Sequence, residues 1–184
     1  MNINDIELKR KDGTIVNAKF SFLSNEDLDR IMDLQSKIYN GLEDKQLYSP
    51  SSKEEFKEFI LGKGKILGCI TEDNKLIAMA VYAKMEYDEH NYGYDIELEG
   101  KDLLKVGQIE STIVDKEFRG NKLQRKMCEK LEEVAIENNT PILSATASPY
   151  NEYSVNTFLN LGYKIMKDKI KYGGLRRYVL IKEL

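Results

Sequence analysis

Gln108-Ile109-Glu110-Ser111-Thr112-Ile113-Val114, then Asp115-Lys116-Glu117-Phe118, then Arg119-Gly120-Asn121-Lys122-Leu123-Gln124 is the stretch that decides the fold. The first seven residues read as a buried strand, the next four as a charged turn, and the last six open a long amphipathic helix ending near Glu137. Leu123, Met127, Leu131, Val134 and Ala135 recur at helical spacing with charged residues between them, so one face of this helix is buried.

The first turn of such a helix has backbone N–H groups without intrahelical partners, and the aligned peptide dipoles add partial positive charge there. Gly120 lets the backbone approach a ligand closely, and Arg119, Lys122, Arg125 and Lys126 surround it with cations. A diphosphate fits that description. The competing reading is a solvated basic turn.

These residues resemble the GNAT superfamily of N-acetyltransferases, whose loop for the acetyl-CoA pyrophosphate has the form Arg/Gln-x-x-Gly-x-Gly/Ala between a strand and a helix. Arg119 and the strand-turn-helix context match, and Gly120 stands where the family often has glycine. Lys122 and Gln124 stand where the family has two small residues. A second segment strengthens the likeness: Asn151, Ser154 and Phe158 precede Leu161-Gly162-Tyr163-Lys164-Ile165, which is similar to the family's later helix and its Gly-Phe/Tyr entry into the next strand. The likeness covers about residues 15–184 in architecture and is most specific over 110–165.

The resemblance implies an α/β (α+β) fold with a mixed, mostly antiparallel central sheet flanked by helices. It implies transfer of an acetyl group from acetyl-CoA to a primary amine of a small molecule or protein, by direct attack in a ternary complex. By the same likeness Arg119, Gly120, Asn121, Lys122, Leu123 and Gln124 border the pyrophosphate, the backbone of Ile113 and Val114 pairs with the pantetheine arm, and Asn151 and Ser154 bond that arm. Asn151 also reads as a helix cap. The tyrosine that protonates the leaving thiolate in many family members is replaced by Phe158, leaving Tyr150, Tyr153 or water to act.

Strand alternation places Glu110, Thr112 and Val114 on one face and Ile109, Ser111 and Ile113 on the other. Glu110, a carboxylate in a mostly apolar strand, is the candidate general base, with an ion-paired or hydrogen-bonded structural role as the alternative. A different class of function is also open: a CoA-binding sensor or inactive scaffold, consistent with Lys122, Gln124 and Phe158. A P-loop nucleotidase is a poor third reading, because no Gly-x-x-x-x-Gly-Lys-Ser/Thr occurs.

Composition sets the outer bounds. A length of 184 residues predicts one domain over 1–184. A net charge of −3 argues against nucleic-acid binding by bulk electrostatics. No apolar run approaches the ~20 residues that span a bilayer, and the amino terminus lacks a secretory pattern. The expected partners are acetyl-CoA and an amine acceptor, with neither nucleic acid nor membrane, a homodimer left open, and a cytoplasmic location. Cys69 and Cys128 have no metal-ligand spacing and read as buried thiols.

Along the rest of the chain, residues 1–10 read as an edge strand and 14–22 as a strand after the Asp12-Gly13 turn. Ser24 caps a helix bearing Leu28, Ile31, Met32, Ile38 and Tyr39, with Gln35 interrupting the apolar stripe. Ser52-x-x-Glu55 is a capping box for a short helix, and 65–71 with 76–84 form a hairpin. Tyr39, Tyr48 and Phe56 line either an acceptor pocket or the core. Residues 86–105 have no clear pattern: their acidic side chains either form a solvated face or attract a cationic amine, and His90 reads as solvated. Residues 142–147, 163–166 and 177–181 are the closing strands, with a helix from Asn151 to Gly162.

Overall fold

The computed structural model describes residues 5–184, so the expectation of a strand over the first four residues lies outside them. Eight strands form one sheet: β1 (Asp5–Lys9), β2 (Ile15–Phe22), β3 (Gly64–Thr71), β4 (Leu76–Ala83), β5 (Val106–Val114), β6 (Ile142–Ala147), β7 (Lys164–Lys171) and β8 (Leu175–Glu183). Their order is β1-β2-β3-β4-β5-β6-β8-β7, and every neighbouring pair is antiparallel except β5 with β6. Helices α1 (Leu28–Asn40) and α2 (Lys53–Glu58) cover one face, and α3 (Leu123–Glu137) and α4 (Glu152–Asn160) cover the other. This is the mixed, mostly antiparallel sheet flanked by helices that the sequence implies. Among the described residues, no helix is long and apolar enough to cross a membrane.

Local chemistry explains the helices near the site. Ser52 and Glu55 exchange both capping-box bonds at α2. Gln35, the polar break in the α1 stripe, is 3% exposed and fully used. Its Nε2 donates to Ser51 O at 2.8 Å, while its Oε1 accepts from Tyr48 Oη at 2.8 Å and Ser51 N at 2.9 Å. That bonding makes the residue a clamp on the segment before α2, which is why an amide interrupts an apolar stripe at no cost in unpaired groups.

The strand that leads to the site does not alternate as its sequence reads. Val81 lies opposite Glu110 and Met79 opposite Ile113, so Ala80 faces two residues, Ser111 and Thr112. Ser111 takes φ +45°, and the extra residue makes a β-bulge. Facing changes across it. Ile109 packs in the cluster under α3, whereas Ile113 packs in the cluster under α1 and α2. The expected grouping is therefore corrected: Val114 packs on the α3 side and Thr112 faces Cys128 of α3, while Glu110 shares the α1 and α2 side with Val81 and Ile113. Cys69 and Cys128 are buried, unpaired thiols.

Residues 84–105, unpatterned in sequence, form a strap built on two short 3₁₀ turns, Tyr92–Ile96 and Gly100–Lys105. Its acidic residues are not simply solvated. Asp95 pairs with Lys169 at 2.5 Å and also with Lys171, Glu97 pairs with Lys167 at 3.0 Å, and Tyr92 bonds Tyr172 through their hydroxyls. Buried Asn91 holds the strap's own shape, donating to Glu86 O at 2.6 Å and Leu103 O at 3.1 Å.

Candidate active site

Among the described residues, the only parallel pair in the sheet is also an incomplete one. The β5–β6 ladder runs from Val106 opposite Ile142 to Ile109 opposite Ala145 and stops, although β5 continues to Val114 and β6 to Ala147. Beyond that point the two strands splay apart. Ile113 and Val114 pair with β4 on one side and have no ladder on the other. An exposed strand edge of this kind is a template for an extended ligand with amide groups.

At the far end of β5, Asp115 caps the turn Lys116–Phe118 and accepts from Lys37 of α1 at 2.5 Å. The loop that follows, 119–122, bends through two left-handed positions, Gly120 at φ +96° and Lys122 at φ +57°. Lys122 is the N-cap residue of α3, and no side chain caps that helix. The first helical bond runs from Lys126 N to Lys122 O at 3.0 Å, so the N–H groups of Leu123, Gln124 and Arg125 have no helix partner. By contrast α2 and α4 are closed by Ser52 and Asn151. The open N–H groups, the helix dipole and exposed Arg119 and Lys122 together make a strong anion field.

The predicted site residues divide by what their side chains do. Asn121 is occupied: its Oδ1 accepts from Lys9 N at 2.9 Å, and its Nδ2 donates to Lys9 O and Phe118 O, each at 2.8 Å. It staples the loop to β1. The Leu123 side chain is in the core, which leaves its N–H as its contribution. Gln124 donates to Ser154 Oγ at 3.0 Å, joining the starts of α3 and α4. Asn151 accepts from Ser154 N at 3.2 Å as the α4 cap. Phe158 is buried edge-on against Tyr163, with centroids 5.1 Å apart. Tyr153 is 89% exposed. Arg125 is paired with Glu129 at 2.9 Å, so its charge is partly spent.

Glu110 opens the other bank of the splay. Burial raises its carboxyl above the usual range, hydrogen bonds from Gln108 and Tyr92 pull it back, and Glu55 adds to the rise. Tyr48 and Ser111 stand near it, and Ser51 Oγ lies 3.4 Å from Ser111 Oγ. Tyr172, pushed up to about 12 mainly by burial, holds Thr146 Oγ1 at 2.9 Å just past the last β5–β6 pair. Gln108, Tyr92, Thr146 and Tyr172 stand around Glu110 and the end of the β5–β6 ladder, and sequence reading did not single them out. Only the tyrosine-rich character of 87–94 gave any signal. Phe56 is core, and His90 is exposed.

The arrangement can hold an anion at one end of an unpaired strand edge and take a proton at the other. The family model described as Acetyltransferase (GNAT) family matches residues 28–163. No curated protein matches the chain. Among solved structures, Arabidopsis thaliana NAA60 in complex with acetyl-CoA aligns at TM-score 0.71 and 9% identity, over 91% of this chain and 98% of that one. Salmonella typhimurium yncA, a putative acetyltransferase with its cofactor acetyl-CoA, aligns at 0.68 and 13%, over 91% and 94%. A probable acetyltransferase from Staphylococcus epidermidis aligns at 0.68 and 18%, over 90% and 98%. With the family model spanning most of the chain, and the splayed strands and open helix start in place, this chain belongs to the GNAT family of acetyltransferases.

Proposed function

We propose that the protein is an N-acetyltransferase that takes acetyl-CoA into the β5–β6 splay and acetylates a primary amine arriving from the α1, α2 and strap side. The observation that supports this most is the ladder that stops at Ile109 and Ala145 while both strands run on. The free edge of Ile113 and Val114 would pair with the pantetheine arm, and the N–H groups of 123–125 with Arg119 and Lys122 would hold the diphosphate. Gly120 has open space around an added Cβ, so the loop can meet a ligand closely. Gln124 and Ser154 would border the arm where α3 and α4 meet. Asn121 and Asn151 act through the loop and helix they shape. Two relatives in fold were solved with acetyl-CoA, which supports acetyl-CoA as the co-substrate.

In the reaction the amine nitrogen attacks the thioester carbonyl carbon, the carbon–sulfur bond breaks, and the amine's proton passes to Glu110. Positioning of both reactants is worth up to ~7–11 kcal/mol of the barrier. The departing thiolate needs a proton that Phe158 does not have. Tyr172 is our candidate donor: its hydroxyl carries a proton at neutral pH and contacts Thr146 of β6, just past the last β5–β6 pair. We place the enzyme in the cytoplasm as a single catalytic domain, a setting that suits its two buried thiols.

Titration calorimetry with acetyl-CoA and a thiol-release assay across a panel of amines test this reading together. Saturable binding with amine-dependent thiol release supports it. Binding without turnover on a broad panel favours a CoA-binding scaffold, and no binding by a folded sample removes the assignment. Glu110→Gln should cut turnover more at neutral than at high pH, where amines lose their proton unaided.

A further inference from the structure

Gln108 sits on β5 two residues before Glu110, and it is 0% exposed. A buried primary amide must satisfy both ends, and here each end has one partner. Its Oε1 accepts from the backbone N–H of Tyr92 at 2.6 Å, and its Nε2 donates to Glu110 Oε1 at 2.7 Å. The Tyr92 N–H can only donate. It therefore fixes which end of the amide is oxygen, and the NH₂ end is directed at Glu110 without a choice of flip.

We propose that Gln108 is a positioning residue for Glu110: locked by the strap's Tyr92 N–H, its amide holds one carboxylate oxygen and so fixes how the carboxylate is presented. This rests on the reading of Glu110 as the base, and it adds that the base is set by the strap. The 84–105 segment is anchored to β7 by Asp95 and Glu97 and touches β5 through the Tyr92–Gln108 bond. Strap position and carboxylate position are thereby one mechanical unit.

The electrostatics agree with the geometry. Burial raises the Glu110 carboxyl, and the Gln108 bond is the first of the contacts that lower it, followed by the Tyr92 hydroxyl. The other groups facing it are Glu55 from α2, His90 from the strap, Tyr48 ahead of α2 and Tyr172 from the β7–β8 turn. Lys171 and Arg177 lie further back, over the Tyr92 and Tyr172 rings at 4.6 and 5.8 Å. Among these contacts Gln108 alone combines complete burial with a fixed donor on the carboxylate, so its removal should move the titration of Glu110 more than loss of any other.

The test needs no acceptor. The full chain, labelled with ¹³C at glutamate Cδ, is titrated by NMR, and the Glu110 signal is assigned by its absence in Glu110→Gln. Gln108→Leu should raise the Glu110 midpoint by about one pH unit, the usual size for losing a donor to a buried carboxylate. The isosteric Gln108→Glu should raise it further, because two carboxylates at that spacing cannot both ionise readily. It also guards against a Leu variant that does not fold. An unchanged midpoint in a folded Gln108→Leu or Gln108→Glu protein overturns the proposal. Failure of the base itself reads differently: Glu110→Gln would keep full amine-dependent turnover while the Gln108 variants still moved the midpoint.

Discussion

The loop at 119–122 and the strap at 84–105 bracket the same strand, β5, one leading out and one leading in, and they are built on opposite principles. The loop is exposed, bends at two left-handed residues and leaves the α3 start uncapped. The strap is a packed cover, with Asn91, Tyr92 and Leu103 buried and ion pairs reaching β7. One region is open where, in the proposed function, a ligand's anion would be held. The other is closed where the proposed base, Glu110, would need a fixed orientation and a drier surrounding. The two kinds of order respond to different perturbations, and mutations can separate them.

The largest effect should come from the strap. The Asp95 side chain is 8% exposed and serves both Lys169 and Lys171, the latter only 15% exposed. Asp95→Ala leaves a largely buried ammonium unpaired, which should cost about 3 kcal/mol, or about 6–12 °C in Tm for a chain of this size. Glu97→Ala is the contrast. Its carboxylate is 82% exposed, so thermal unfolding should shift by no more than about 1 °C. Equal losses from the two would mean that the strap is not pinned through Asp95.

The loop should answer in binding and much less in stability. Gly120→Asp puts a carboxylate into the anion field and a side chain at φ +96°. Acetyl-CoA affinity should fall about tenfold or more, as like charge near a helix start and a left-handed non-glycine residue both predict. Calorimetry showing unchanged affinity would remove the loop from the site and dissolve the contrast between the two regions.

Glu110 lies between the regions and tests the cost of the closed one. Burial raises its carboxyl in the folded state, so the fold prefers the protonated form. The group's stability contribution is complete below the unfolded value and is lost as pH rises from there through the raised folded one. Glu110→Gln has no charge to bury. Its Tm should exceed that of the parent by about 2–4 °C at neutral pH, and the gain should vanish as the buffer is taken down to the ordinary carboxylate range. A gain that persists undiminished in acid would show that the charge was not its source.

The same contrast explains what could be read without coordinates. The loop left marks in adjacent residues because its job is local: a glycine at a bend, a run of cations, then a 3.6-residue apolar period from Leu123 onward. The capping box at Ser52 was legible for that reason too, as was the cap at Ser24, although Ser24 closes the 3₁₀ turn Asn25–Asp27 that leads into α1. The strap was not, because Asp95 finds its lysines in a strand far along the chain, and nothing beside it says so. Alternation also failed within β5. A bulge needs one unusual backbone angle, and Ser111 carries no glycine or proline to announce it. That single residue moved Thr112 and Val114 away from Glu110 and brought Ile113 to its side of the sheet. Gln108 was passed over as a polar residue in a strand because its meaning lies in Tyr92, a partner supplied by the strap.

The smallest effect sharpens the comparison most finely. Lys122 stands where the family pattern has a small residue, yet its backbone adopts the left-handed turn at φ +57° that glycine takes without strain. Lys122→Gly removes about 1 kcal/mol of strain and returns part of that as extra freedom in the unfolded chain. The net gain should be about 0.5 kcal/mol, or about 1–2 °C in Tm. It also deletes an exposed cation beside the proposed diphosphate, which should weaken acetyl-CoA about two- to fivefold and flatten the salt dependence of binding. Lys122→Asn separates the causes, since asparagine tolerates the same turn without a charge. The two variants should agree in affinity and differ in stability. If Lys122→Gly instead binds more tightly, the lysine charge contributes nothing to the grip, and the open amide groups of α3 hold the anion by themselves.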